Sequence, residues 1–177
     1  MTFTIVPERR DDAALINPLL DRTFGFDRTK RTVYHLRRGI KPIAGLRFSA
    51  VAEDDGLLGS IRYWPIDIAG HPAILLGPLA VEPALQGCGI GKALVTHSLA
   101  AAASQGHKIC VVVGDPNYYR SFGFISASAQ GLSLPGPVEP ERFQVKALAP
   151  GALEEIYGVI GRAKPAASAK PPRRSVG

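Results

Sequence analysis

The sequence predicts an α/β fold, a mixed β-sheet flanked by helices, and three observations carry that prediction. Two nearly continuous apolar runs, residues 72–81 and 108–113, read as strands buried on both faces. Between them lie a glycine-rich loop and an apolar helical pattern, long enough to carry the chain back for parallel pairing. Upstream, two β-rich runs at 46–52 and 57–68 flank Glu53-Asp54-Asp55-Gly56, an acidic turn ending in Asp-Gly that marks a hairpin.

The remaining elements follow in chain order. Asp11 and Asp12 precede apolar residues at three and four spacing, which predicts an amphipathic helix over about 11–23 that Pro18 shortens or kinks. Residues 27–38 form a second helical stretch closed by Gly39, and its basic residues Arg28, Lys30, Arg31, Arg37 and Arg38 read as a solvated face. In the run 72–81, Pro78 cannot donate a ladder hydrogen bond, so it marks an edge, a bulge or a place where strands part. The long helix has Ile90, Leu94, Val95, Leu99 and Ala102 on one side and stops at Gly106. Gly114-Asp115-Pro116-Asn117 is expected to start a short helix through Phe122, ended by Gly123, with an extended stretch from Phe124 and a further strand at 143–148.

Composition excludes several classes. The 177 residues are 46% hydrophobic and 20% charged, ordinary for one globular domain. The charge-free helical run 93–107 falls short of the roughly 20 residues of a membrane span. The first residues lack the basic-then-apolar order of a secretory signal. Two cysteines, Cys88 and Cys110, cannot supply a disulfide framework or a four-cysteine zinc site, and the four histidines lack ligand spacing. The expectation is a cytoplasmic protein with no metal and no membrane partner. The net charge of +6 invites a nucleic-acid reading. Five of the cations lie from Arg162 onward, which leaves +1 for residues 1–161. The reading is a single domain over 1–160 and a flexible basic, Pro/Ala-rich tail over 161–177, with no nucleic acid as partner.

The loop 86–92 carries the chemistry. Glycines at 87, 89 and 91, between a buried strand and a buried helix, let backbone N–H groups converge without Cβ obstruction. The helix N-terminus adds free donors and partial positive charge, a cradle for phosphate or pyrophosphate. The dinucleotide fingerprint G-x-G-x-x-G fails at Lys92 or Leu94, depending on the starting glycine. The P-loop fails at Gln86 and Ala93. What remains is Gln86-x-x-Gly89-x-Gly91.

Within the wider segment Val81-x-Pro83-x-x-Gln86-Gly87-x-Gly89-Ile90-Gly91-x-x-Leu94, the sequence resembles the acetyl-CoA pyrophosphate signature of the GNAT (Gcn5-related) N-acetyltransferases. Tyr119-Arg120-Ser121-Phe122-Gly123-Phe124 is similar to that family's second motif, one strand downstream. The run 114–124, with Leu76-Gly77-Pro78-Leu79-Ala80-Val81, resembles a small bacterial subgroup. The resemblance is sharp over 74–129 and softer over 1–73 and 130–160.

This resemblance implies the GNAT fold, with two splayed parallel strands holding the cofactor. It implies an N-acetyltransferase that passes an acetyl group from acetyl-CoA to a primary amine by direct attack. The rival is a non-catalytic acetyl-CoA-binding or regulatory domain of the same fold. By carry-over, Leu79, Ala80 and Val81 contact the pantetheine arm, while Gln86, Gly87, Cys88, Gly89, Ile90, Gly91 and Lys92 hold the pyrophosphate. By the same carry-over, Tyr119 would be the catalytic residue that protonates the departing thiolate; a phenol of pKa near 10 keeps its proton at neutral pH, as a general acid must. The base stays open between Glu82, Asp67, Asp115 and a water. An amine of pKa about 10.4 is neutral only about 0.04% of the time at pH 7, a handicap of roughly 4.6 kcal/mol. The acceptor is a small-molecule or protein amine, and the chain is a monomer or homodimer.

Overall fold

The computed structural model describes residues 2–164. Among these, nine strands and four α-helices follow the chain as β1 (Phe3–Pro7), α1 (Asp12–Phe24), α2 (Thr32–Arg37), β2 (Arg47–Ala52), β3 (Leu57–Ile68), β4 (His71–Val81), α3 (Ile90–Ser104), β5 (Ile109–Val113), α4 (Pro116–Arg120), β6 (Ile125–Ser126), β7 (Leu132–Ser133), β8 (Phe143–Ala147) and β9 (Gly158–Arg162). The sheet order is β1-β2-β3-β4-β5-β8-β6, antiparallel except for β4 against β5. β9 pairs with the far half of β3 and runs parallel to β7. The predicted mixed sheet flanked by helices is the observed architecture.

The hairpins have the turns their residues dictate. Asp55 takes φ 64° in the β2–β3 turn, and Ala69 and Gly70 take φ 49° and 96° between β3 and β4. Two positive-φ residues in a two-residue loop match the twist of the strands they join. The Asp67 carboxylate accepts from Gly70 N–H at 2.7 Å and locks that turn.

Apolar side chains divide between the faces of the sheet. On one face α3 lays Leu94, Val95, Leu99 and Ala102 on Ile61, Tyr63, Ile74 and Leu76. On the other, Leu36 of α2 packs with Ile66, Ile68, Leu75, Val111 and Phe143. Ile16, Leu19 and Leu20 of α1 cover Ala80.

The register of β4 shifts where the chain reads Gly77-Pro78. Tyr63 sits opposite Leu76, and Ile61 opposite Leu79, so three steps of β4 face two of β3. One inserted residue reverses the side-chain alternation. Ile74 and Leu76 face α3 before the bulge, and Leu79 and Val81 after it. The parallel register of β4 with β5 covers only Ile74–Cys110 and Leu75–Val111. Beyond Leu75, β4 leaves β5, and the two strands open into a V.

Several expectations are corrected. The second helical stretch is broken at Arg31, which is extended with φ −71° and ψ 147°. A 3-10 turn, Phe26–Lys30, precedes it and α2 follows. Its basic residues are not all a solvated face. The Arg28 side chain is mostly covered in an ion pair with Asp21, and Arg37 is buried. Helix α1 runs through Pro18 without ending there. Gly161 and Arg162, assigned to the tail, belong to β9 and pair with Asp67 and Ile66. Ala163 and Lys164 follow β9 without regular structure, and residues 165–177 of that tail lie outside the described residues.

Candidate active site

The V between β4 and β5 is the floor of a cleft of about 1100 Å³. Leu76 to Leu79 form one edge, Val112, Val113 and Gly114 the other, and Tyr119 stands beside them. The far wall comes from α2 and the 3-10 turn before it, including Arg31, Tyr34 and Arg37. Arg142 and Glu139 close the rim. A shallower pocket of about 520 Å³ runs past Gly89, Lys92, Ala93, Thr96 and His97 on the outer side of the glycine loop.

The glycine loop has the backbone its sequence requires. Gln86 caps the short 3-10 turn Pro83–Leu85, Cys88 is exposed, and Gly89 caps α3. Gly87 and Gly89 take φ 84° and 86°, where a Cβ is strained although space surrounds it. No side chain caps α3, so the first N–H groups of the helix stay available to a ligand. Ile90 anchors that turn in the core at 1% exposure, while Lys92 stands at the outer pocket. Of the carried-over cofactor contacts, Leu79, Ala80 and Val81 lie on β4 past the bulge, paired to β3 through Ile61, Ser60 and Gly59, with no β5 register on their other side. Of these strand and loop residues, Leu79 lines the cleft, and Gly89 and Lys92 line the outer pocket.

Tyr119 is seated by its own motif. Asp115 accepts from Asn117 N–H at 2.9 Å and caps α4, with Pro116 in the first turn. The Tyr119 ring lies on Gly114 so closely that any Cβ there would overlap it. Edge contacts to Tyr118 at 5.0 Å and to Phe124 at 5.6 Å hold the ring. Burial raises its phenol well above the usual value, reinforced by neighbouring Tyr118 and Cys110. The phenol therefore keeps its proton at neutral pH.

The carboxylates named from the sequence separate. Asp67 is in the β3–β4 hairpin, opposite Pro72 at the distant end of β4. Glu82 is ion-paired with Arg22. Asp115 lines the cleft, and so does Glu139, which sequence reasoning did not single out. Arg37 and Arg142 were likewise not picked for the site. Nothing in their local sequence distinguishes them from surface cations, because α2 and the 140–142 turn reach the cleft only through the tertiary fold. Among the described residues no group of three or more His, Cys, Asp and Glu could hold a metal, and no helix is long and apolar enough to cross a membrane.

Comparison with known proteins adds independent findings. The family model of the acetyltransferase (GNAT) domain matches residues 45–126. The uncharacterized N-acetyltransferase YhbS of Escherichia coli (strain K12) is 32% identical over 152 residues, covering 84% of this chain and 89% of its own. The 1.55 Å crystal structure of Escherichia coli YhbS, in complex with CoA, superposes with a TM-score of 0.79 at 30% identity, over 91% of this chain and 89% of that one. A GNAT family acetyltransferase from Brucella melitensis, in complex with acetyl-CoA, gives a TM-score of 0.67 at 29% identity, over 92% and 96%.

Proposed function

This chain belongs to the GNAT family of N-acetyltransferases, and from that premise we propose that it binds acetyl-CoA in the V and acetylates a primary amine by direct attack. The observation that carries the proposal is the parting of β4 and β5, with a glycine-rich helix N-terminus on one arm and Tyr119 beside the other. CoA and acetyl-CoA in the Escherichia coli and Brucella melitensis structures support the same cosubstrate here.

The residues present fit that cosubstrate. Past the bulge, Leu79 to Val81 offer a strand edge without a β5 partner, suited to the amide groups of pantetheine. The loop from Gln86 to Lys92 and the uncapped start of α3 offer N–H donors to the pyrophosphate. In the transfer, the neutral amine attacks the thioester carbonyl. The C–N bond forms, the C–S bond breaks, and the departing sulfur takes the Tyr119 proton. The extra proton on nitrogen leaves to Asp115, to Glu139 or through water, since Asp67 and Glu82 do not line the cleft.

The test is release of free thiol from acetyl-CoA with a panel of primary amines, comparing wild type and Tyr119→Phe. The expected result is turnover with some amines and a loss of about 10²-fold in the variant. Tight acetyl-CoA binding with no thiol release for any amine would instead assign a non-catalytic cofactor-binding domain.

A further inference from the structure

Arg37 is 8% exposed, and its Nε is buried without a hydrogen-bond partner. Among the described residues it has no carboxylate partner, and neither do Arg31 and Arg142, although all three line the cleft. The other cations of that wall are matched: Arg28 to Asp21 at 2.9 Å and Lys30 to Asp27 at 2.7 Å. The Arg37 guanidinium stands 4.8 Å from the Tyr34 ring centre and 5.8 Å from that of Trp64, whose buried indole N–H also lacks a partner. Aromatic faces offset only part of the loss of hydration of a cation. An anion brought by a ligand would supply the partner this cation lacks.

The position of the group says where that anion would sit. A Cβ on Gly77 would lie 3.0 Å from Arg37 Nη2, so the guanidinium abuts the bulge where β4 leaves β5. Asp115 and Glu139 are the carboxylates on the same cleft, against Arg31, Arg37 and Arg142. This balance disfavours polycationic acceptors. The planar fork of a guanidinium fits two oxygens of one carboxylate or phosphate.

We propose that the acceptor is a primary amine that also carries an anionic group, a carboxylate or a phosphate, and that Arg37 binds this anion and so determines specificity. The proposal rests on the acetyltransferase reading and refines it. Arg37 fixes one end of the acceptor beside the bulge, and the amine reaches the thioester from that anchor.

The experiment measures kcat/KM for matched amines, 4-aminobutanoate against butylamine and phosphoethanolamine against ethanolamine, with wild type and Arg37→Gln. Wild type should favour the anionic member of at least one pair by at least about tenfold, and Arg37→Gln should erase that advantage. The pair that responds tells carboxylate from phosphate. Arg37→Lys, which keeps the charge without the fork, should keep part of the preference and serves if Arg37→Gln does not fold. Amine acetylation without an anion preference, or a preference that survives loss of Arg37, overturns this inference and leaves the acetyltransferase reading standing. If no amine is turned over, the thermal midpoint with 4-aminobutanoate or phosphoethanolamine decides. A rise in wild type that is lost in Arg37→Gln supports the anion site while the transfer reaction fails, and no rise overturns it.

Discussion

The hydroxyl of Tyr118 meets the backbone of Gly91 so closely that a β-carbon at residue 91 would lie 2.9 Å from its oxygen. Two motifs 27 positions apart in the sequence thus touch across the open end of the V. The contact sets the distance between the first turn of α3 and α4. An alanine at 91 gains about 1 kcal/mol of helix propensity but cannot enter without moving Tyr118 or the helix. Gly91→Ala is expected to raise the KM for acetyl-CoA several-fold. Gly91→Ala/Tyr118→Phe, which removes the obstructing oxygen, should return it to within about twofold of Tyr118→Phe alone. Equal KM values for wild type and Gly91→Ala would refute the coupling.

Gly114 serves Tyr119 in the same way. Its φ is not positive, so only the ring requires the glycine. Gly114→Ala should displace the ring and lower kcat with little change in the KM for acetyl-CoA. Because burial holds the Tyr119 phenol above its usual range, the wild-type rate should rise with pH as the acceptor amine loses its proton. It should show no falling limb from Tyr119 below about pH 10. A pH profile that falls between 8 and about 9.5, absent from Tyr119→Phe, would contradict this placement of the proton.

Tyr63 and Ser98 tie β3 to α3 through a fully covered hydrogen bond of 2.8 Å. Ser98 also donates to Leu94 C=O at 2.7 Å, so it keeps a partner when Tyr63 becomes Phe. Tyr63→Phe should cost about 1 kcal/mol, whereas Ser98→Ala strands a buried phenol and should cost about 1–3 kcal/mol. Urea unfolding of the two variants checks the order.

Asp12 is 1% exposed. Burial opposes its charge, but hydrogen bonds from Arg9 N–H at 2.9 Å, the Ser49 hydroxyl at 2.9 Å and the Arg9 side chain at 3.2 Å outweigh that. The carboxyl therefore titrates below its usual value. A lowered folded-state pKa gives stability that is fully present above about pH 4 and is lost as pH falls through the folded value. Asp12→Asn should lower stability at neutral pH and flatten the acid limb of unfolding midpoints measured from pH 7 to 2.

The elements legible in the sequence are those whose signals are local. The hairpin 47–68, the strand ending at Val81, helix α3 and strand β5 form where alternation, Asp-Gly, glycine punctuation and a one-sided apolar stripe predict them. β9, with two glycines in five residues, carries no such signal, and it becomes a strand where the far half of β3 and the short β7 offer it partners. Likewise the break at Arg31 carries no signal in the sequence, since the helical pattern runs through it.

The sequence alone determined the fold class, the glycine loop and the residue type at 119, because backbone freedom at Gly87 and Gly89 and the spacing to Phe124 are properties of neighbours along the chain. Only the tertiary structure decided which charges face the cleft. It set Asp67 and Glu82 aside, brought Asp115 and Glu139 to the cleft, and buried Arg37 against Gly77 from an element 40 positions away. The physical reason is that electrostatics at a site depends on distance and burial, and neither is a property of adjacent residues.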